Sequence, residues 1–320
     1  MISACGGAVL ADAVSGCDWM PDQPIAVAAH VWLGYEPLFL AQREAWLDAK
    51  AAQVVQTVSA AESLQALAQG RVQGAALTLD EMLLARAAGY ALSAVLVFNV
   101  SAGADMLLVR SDILTLDRLK GRRIGYEQSS VGMLLLAKIL ELAGLTERDV
   151  IIRPMRVDTH VRAWESREVD ALITYEPVGS QLLSLGAVRL FDTRQLPNTI
   201  VDVLAIRSDA LDASNAKAVR HLIATHFWAL DRLRRNPQDT AYRMADHLGL
   251  ASAGVLAAFK GLLIPDIDNN HRLLDGVAPA LQDAGRLLSD AMVKGKLLKQ
   301  SDPLTGLIRA DFLPPRGQGK

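Results

Sequence analysis

Short apolar runs alternate with stretches of helical periodicity up to about residue 207, and from about Asp209 onward the periodicity is helical throughout. Pro24-Ile25-Ala26-Val27-Ala28-Ala29-His30 reads as a first strand. It leads through Trp32-Leu33-Gly34-Tyr35-Glu36-Pro37 into a helix whose Leu38, Leu40 and Trp46 offer apolar surface. Further strands are predicted over 52–58, 72–78 and 94–100, with helices between them. Ser59, with Glu62 three residues on, reads as a capping box. Ser101-Ala102-Gly103-Ala104-Asp105 breaks the pattern before extended runs over 106–110 and 122–126. An apolar helix over 131–142 ends at Gly144, a residue that tolerates the left-handed cap. Strands over 150–157 and 169–174 enclose another helix, Pro197-Asn198-Thr199 is a turn, and 200–207 is an extended return. Asn236-Pro237, Gly249, Gly261 and Pro265 then divide the remainder into four or five helices.

One segment occurs twice. Residues 70–81, Gly-Arg-Val-Gln-Gly-Ala-Ala-Leu-Thr-Leu-Asp-Glu, are echoed at 167–177, Arg-Glu-Val-Asp-Ala-Leu-Ile-Thr-Tyr-Glu-Pro. Each apolar run stops at a Thr followed two residues later by an acid, Asp80 or Glu176. Apolar runs alternating with helices read as buried parallel strands, and open α/β sheets bind ligands outside the carboxyl ends of their strands. Two matching half-sites predict two α/β lobes facing one cleft. A chain that leaves one lobe, builds the other and returns gives lobe one over 24–104 and 202–313, and lobe two over 105–201. Residues 1–23 precede the first lobe as a tether, and 314–320 form a tail.

Length and composition agree with two cores. The chain has 320 residues, 51% hydrophobic and 21% charged, which excludes a disordered chain. A formal net charge of -2 leaves no basic field for nucleic acid or acidic lipid. After residue 25 no apolar stretch reaches the length of a membrane span. Cys5 and Cys17 are the two cysteines, which rules out a disulfide framework in the body of the chain. Each closes a small-residue tetrapeptide, Ile2-Ser3-Ala4-Cys5 and Val14-Ser15-Gly16-Cys17, similar to the lipobox of bacterial lipoproteins. The expected modification is lipidation of Cys17 or Cys5. The segment departs from an export signal in lacking Lys or Arg before Cys17 and in having Asp12 within its apolar stretch. A start codon assigned too far downstream would explain this.

Catalytic signatures are missing from the sequence. No His-Glu-x-x-His, Cys-x-x-Cys, Gly-x-Ser-x-Gly or phosphate-loop spacing occurs, so neither a metal nor another cofactor is expected. Among the six histidines, His30 alone has a position, at the end of the first strand, that favours the cleft. Trp32 and Tyr35 flank Gly34 and suit either a stacking wall or a staple seating the helix. Ser129 and Ser130 open a helix whose free N–H groups can hold an anionic oxygen, or act as plain caps. Asp80, Asp105, Glu176 and Asp202 fall at strand ends or crossovers, with no Lys or Arg in equivalent places. Capping or ion pairing explains any one of them. Several together favour a ligand with an amine, amidine or protonated ring nitrogen.

Trp32-Leu33-Gly34-Tyr35-Glu36-Pro37 with Phe39-Leu40-Ala41, Ser101-Ala102-Gly103-Ala104-Asp105 and Tyr175-Glu176-Pro177 together resemble the nitrate/sulfonate/taurine-type solute-binding proteins of bacterial ABC importers. The pyrimidine-precursor binding proteins belong to the same broad group. Met292-Val293-Lys294-Gly295-Lys296-Leu297-Leu298 and Asp311-Phe312-Leu313-Pro314 extend the likeness over about 24–314. The resemblance implies a type II periplasmic-binding-protein fold with two lobes, two crossing strands and a ligand cleft. It implies an extracytoplasmic, monomeric protein, bound to the membrane only through a lipid anchor. Such a protein passes a small organic solute, sulfonate- or taurine-like or an amino-heterocycle, to a permease and its ATPase. By position it would place His30, Trp32, Gly34, Tyr35 and Asp80 in the first lobe's half of the site. Ser101 and Asp105 would lie near the hinge, Ser129, Ser130 and Glu176 in the second lobe, and Asp202 on the returning crossover. The alternatives are an enzyme on the same fold, of menaquinone- or pyrimidine-pathway type, and a ligand-sensing domain.

Overall fold

The computed structural model describes residues 24–197 and 199–317, in which the apolar runs assemble into two separate sheets. The first is built from β1 (Ile25–His30), β2 (Ala52–Thr57), β3 (Gly74–Thr78), β4 (Leu92–Ser101), β10 (Val201–Arg207) and β11 (Leu262–Leu263). The second is built from β5 (Asp105–Val109), β6 (Arg123–Tyr126), β7 (Ile151–Pro154), β8 (Ala171–Tyr175) and β9 (Val188–Asp192). Helices α1 (Glu36–Arg43), α2 (Ala60–Ala68) and α3 (Leu79–Ala87) cover the first sheet. The second carries α4 (Ser130–Ala143), α5 (His160–Glu165) and α6 (Val178–Ser184). After β10 come α7 (Ala216–Arg235), α8 (Pro237–Leu248), α9 (Ser252–Phe259), α10 (Ile267–Leu274) and α11 (Ala280–Lys294). This is the two-lobed α/β architecture expected from the sequence.

The sheets share one plan. Their orders are β11-β4-β10-β3-β1-β2 and β9-β5-β8-β6-β7. In each, three strands run parallel (β2, β1, β3 and β7, β6, β8), and a strand arriving from the other sheet pairs antiparallel beside the third. The parallel reading therefore holds for six strands, whereas the crossing strands β5 and β10 are antiparallel to their neighbours. β3 and β8, the two copies of the repeated segment, occupy equivalent places. The helices that follow them, α3 and α6, begin at the same edge, so the sequence echo is a repeat of structure.

β1, β3 and β5 are buried along their whole length, as continuous apolar strands covered on both faces should be. One core fills the first sheet and its helices, and two smaller cores lie around the second. Ser59 accepts from the Glu62 amide at 3.3 Å, while Glu62 reaches Val58 N–H instead of that of Ser59. Gly144 caps α4 with φ 66°, where a side chain would be strained. Two strands and one helix escaped the periodicity: half-buried β9, two-residue β11 and seven-residue α6. Residues 1–23, with Cys5 and Cys17, and Asn198 of the expected turn lie outside the described residues.

Candidate functional site

The crossing strands carry the acids to the place where the two sheets face each other. Asp105 is the first residue of β5 and pairs with Tyr175 at the end of β8; Asp202 on β10 pairs with Thr78 at the end of β3. The equivalence of the sheets makes these two corresponding half-sites. Between them lies a cavity of about 30 Å³, lined in part by His30, Trp32, Asp105, Ser129 and Asp202. Thr78, Glu81, Glu127, Val131 and Tyr175 complete most of its wall. The sequence had placed the helix-start acid at Asp80, whereas Glu81 faces the space. Of Tyr175-Glu176, the tyrosine does.

A polar chain fixes one side. Trp32 Nε1–H donates to Asn99 Oδ1 at 3.0 Å, Asn99 Nδ2–H donates to Asp202 Oδ2 at 2.7 Å, and the Tyr35 hydroxyl donates to Asp202 Oδ1. Gly34 allows this packing, since a Cβ there would stand 1.7 Å from Asn99 Oδ1. Tyr35 and Gly34 thus support the site from behind and do not line the cavity. Asn99 is aimed by a bulge: Asn99 pairs with Asp202 but Val97 with Val203, leaving Phe98 as the extra residue. The rings of Trp32 and Tyr175 pack edge to face with centroids 5.7 Å apart, and His30 packs against Tyr35 and Tyr175.

Other expected site residues have local partners. Ser101 Oγ lies 2.7 Å from Thr193 Oγ1, which also accepts from Gly103 N–H at 2.7 Å, so Ser101 ties the two crossing segments together. Glu176 accepts from the amide and hydroxyl of Ser180 at 2.8 and 3.0 Å, capping α6 and facing away from the cavity. Ser129 caps α4 through Gly132 N–H while lining the cavity. Asp80 on α3 and Ser130 on α4 are both buried, and the Ser130 and Thr78 hydroxyls oppose the elevation of the Asp80 carboxyl.

The electrostatics are one-sided. Burial pushes Asp105 up to about 7, against the pull of the Ser101 hydroxyl and with help from Asp80 and Glu176. Burial pushes Asp202 up to about 8, with Asp105 and Asp80 adding to it and the Tyr35 and Asn99 donors opposing. Asp80 and Glu81 are raised for the same first reason. Burial lowers His30 to about 4, so its ring is neutral near neutral pH. Two arginines act here, Arg189 on Glu176 outside the wall and Arg156 on Glu127 of the wall, and neither lines the cavity itself. Among the described residues no group of His, Cys, Asp and Glu is arranged to hold a metal. No described helix is long and apolar enough to cross a membrane.

Comparison with known proteins places this geometry in context. A model of the NMT1-like family matches residues 19–249. A Brucella abortus protein carrying the provisional name of a binding protein is 26% identical over 164 residues, covering 50% of this chain and 51% of that one. The chain therefore spans about half the length of the curated relatives it matches. The periplasmic aliphatic sulphonate binding protein SsuA from Escherichia coli superposes with TM-score 0.71 at 21% identity, over 89% of this chain and 97% of that one. The periplasmic nitrate-binding protein NrtA from Synechocystis PCC 6803 gives 0.70 at 11% identity, over 91% and 88%. The desulfurization enzyme DszB gives 0.61 at 17% identity, over 91% and 97%.

Proposed function

This chain belongs to the NMT1-like family, and from that membership and the cavity between its sheets we propose that it is the extracytoplasmic solute-binding component of a bacterial ABC importer. The observation that carries this reading is the cavity wall itself. Glu81, Asp202 and Thr78 come from the first sheet and its helix, and Asp105, Tyr175 and Ser129 from the second. A solute held by one half gains the contacts of the other only when the lobes close, so binding shifts an open–closed equilibrium. The closed form then offers both lobes to a permease driven by an ATPase. A monomer suffices for this cycle, and a lipid on Cys17 or Cys5 would keep the protein at the membrane. The solute is small and organic, of the sulfonate or taurine kind or an amino-heterocycle.

An enzyme on the same fold is the second reading, favoured by the likeness to DszB, because fold alone does not decide function. Against it, His30 Nδ1 has no hydrogen-bond partner, so no nucleophile–base pair is set at that nitrogen. A thermal-shift screen of small amines, sulfonates and pyrimidines separates the two. A ligand near a hundred times its Kd stabilises by about 2.7 kcal/mol, which corresponds to a rise of about 4 °C for a chain of this size. Recovery of that ligand unaltered supports binding, whereas its chemical conversion overturns the reading.

A further inference from the structure

We propose that the cavity takes the cationic head of an organic solute, an ammonium or amidinium, and that this head displaces a proton from Asp105 as it enters. The proposal rests on the solute-binding reading above and names the substrate class of the same site.

Unsatisfied polar atoms converge here. Asp105 and His30 line the cavity at 4% and 8% exposure, and Asp105 Oδ2 and His30 Nδ1 have no hydrogen-bond partner. Asp80 on α3, close by, is engaged by the hydroxyls of Ser130 and Thr78 and adds a further acid behind the wall. Buried polar atoms are seldom left unpaired, so two of them at one cavity mark the place of an absent partner. The wall defines that partner's charge. Glu81, Asp105, Glu127 and Asp202 line the space with no Lys or Arg among the lining residues. An anionic head would face four carboxyl groups, and the Ser129 oxygen already occupies the Gly132 amide at the start of α4. A cation is attracted by the same wall and brings the donor that the free Asp105 oxygen lacks.

Size divides the solute into head and body. The innermost space of about 30 Å³ has room for a group the size of one or two waters, such as an ammonium. Tyr175 also lines a second space of about 320 Å³, whose wall combines Val157, Val178 and Leu248 with Asp158, Asp246 and His247. Half-buried, with its hydroxyl donating to Glu127 at 3.2 Å, Tyr175 stands between the two spaces. The body of the solute extends past it.

The proton belongs to Asp105. Both oxygens of Asp202 accept hydrogen bonds, from Tyr35 and Asn99, whereas Asp105 keeps Oδ2 free. The groups acting on or acted on by Asp105 are Asp80 on α3, Tyr175 on β8, Glu176 before α6, Asp202 on β10 and Ser101 on β4. Arg189 on β9 acts on Glu176. Acids dominate that set, which agrees with the elevation of Asp105 to about 7. When the cation enters, the O–H bond of Asp105 breaks, its electron pair stays on the carboxylate and the proton passes to the buffer. The charge of the occupied site equals that of the empty one.

Isothermal titration of the full chain with benzylammonium, benzyl alcohol and benzenesulfonate varies the head on one ring. Repeating it in two buffers of different ionisation enthalpy counts released protons. Benzylammonium is expected to bind tightest, with affinity rising about ten-fold from about pH 6 to about pH 8 and a proton released below the midpoint. Asp105→Asn should weaken it about ten-fold or more and remove the pH dependence; if that variant does not fold, the wild-type proton count decides. Preference for benzenesulfonate, or cation binding without proton release, would overturn the inference and leave solute binding standing. No binding of any of the three probes would overturn both.

Discussion

Asp202 and Asp105 are corresponding residues with different surroundings, and their difference has consequences for stability as well as for binding. Both are raised, to about 8 and about 7, above the usual 3.8 of an aspartate. The folded chain therefore holds protons that the unfolded chain has released, and the stability they contribute is full below about pH 4 and lost as pH rises through about 7 to 8. His30, His160 and His226 act in the opposite sense. Burial lowers them from 6.5 to about 4, 4 and 3, so their contribution is full above about pH 6.5 and lost as pH falls toward those values. Below about 6.5 the two effects oppose each other, and above it the raised acids remain. The melting temperature of the ligand-free protein is thus expected to fall from about pH 6.5 to about pH 8, by at most about 1.4 kcal/mol of stability per pH unit for each proton. The slope should be shallower in Asp105→Asn. A flat wild-type profile over that window would contradict the elevation of these acids.

At this same scale the sequence was partly legible. Acids at strand ends pointed to the right region, because the carboxyl edge of an α/β sheet follows from strand order. Which side chain of each pair faces the cavity did not follow. Glu176 turns to cap α6 through Ser180, so Tyr175 faces inward, and Glu81 lines the cavity while accepting from Thr78 N–H at 2.9 Å. One residue of register in a turn decides such choices, and periodicity does not carry it.

Among the elements, β4 shows how a local irregularity serves the site. Its bulge at Phe98 aims Asn99 at Asp202, and beside it Asn270 of α10 satisfies the backbone of Val97, which pairs with Val203 of β10. The buried Asn270 side chain accepts from Val97 N–H at 2.8 Å and donates to Val97 O at 3.1 Å and Pro265 O at 3.2 Å. Asn270→Ala takes the side-chain partner from three backbone groups, Val97 N–H, Val97 O and Pro265 O. Each such group costs about 1–3 kcal/mol, and urea denaturation is expected to show a loss in or above that range. A change under about 0.5 kcal/mol would mean that water replaces the amide without cost. Long apolar strands and capped helices were readable from residue patterns because burial on both faces leaves a continuous hydrophobic run. β9, with an exposed start, and β11, a two-residue pairing of Leu262–Leu263 with Val100 and Ser101, depend on tertiary contacts and left no such signal.

For the whole molecule, the repeated segment is the most informative feature of the chain. β3 with α3 and β8 with α6 occupy corresponding positions, and the strands exchanged between the sheets set Asp202 and Asp105 against them. Ser101 and Thr193 join the two crossing segments at 2.7 Å, and the Gln181 side chain donates to Gly249 O at 3.3 Å across the outer space. These contacts hold the sheets around the cavity, and the proposed capture by opening and closing would have to break them. The most direct test is native mass spectrometry of the gently purified full chain. The expected result is one small molecule bound one-to-one without a covalent link and released unaltered on denaturation. A chain that carries none and takes up none, or one that returns a chemically altered compound, would contradict a solute-binding role.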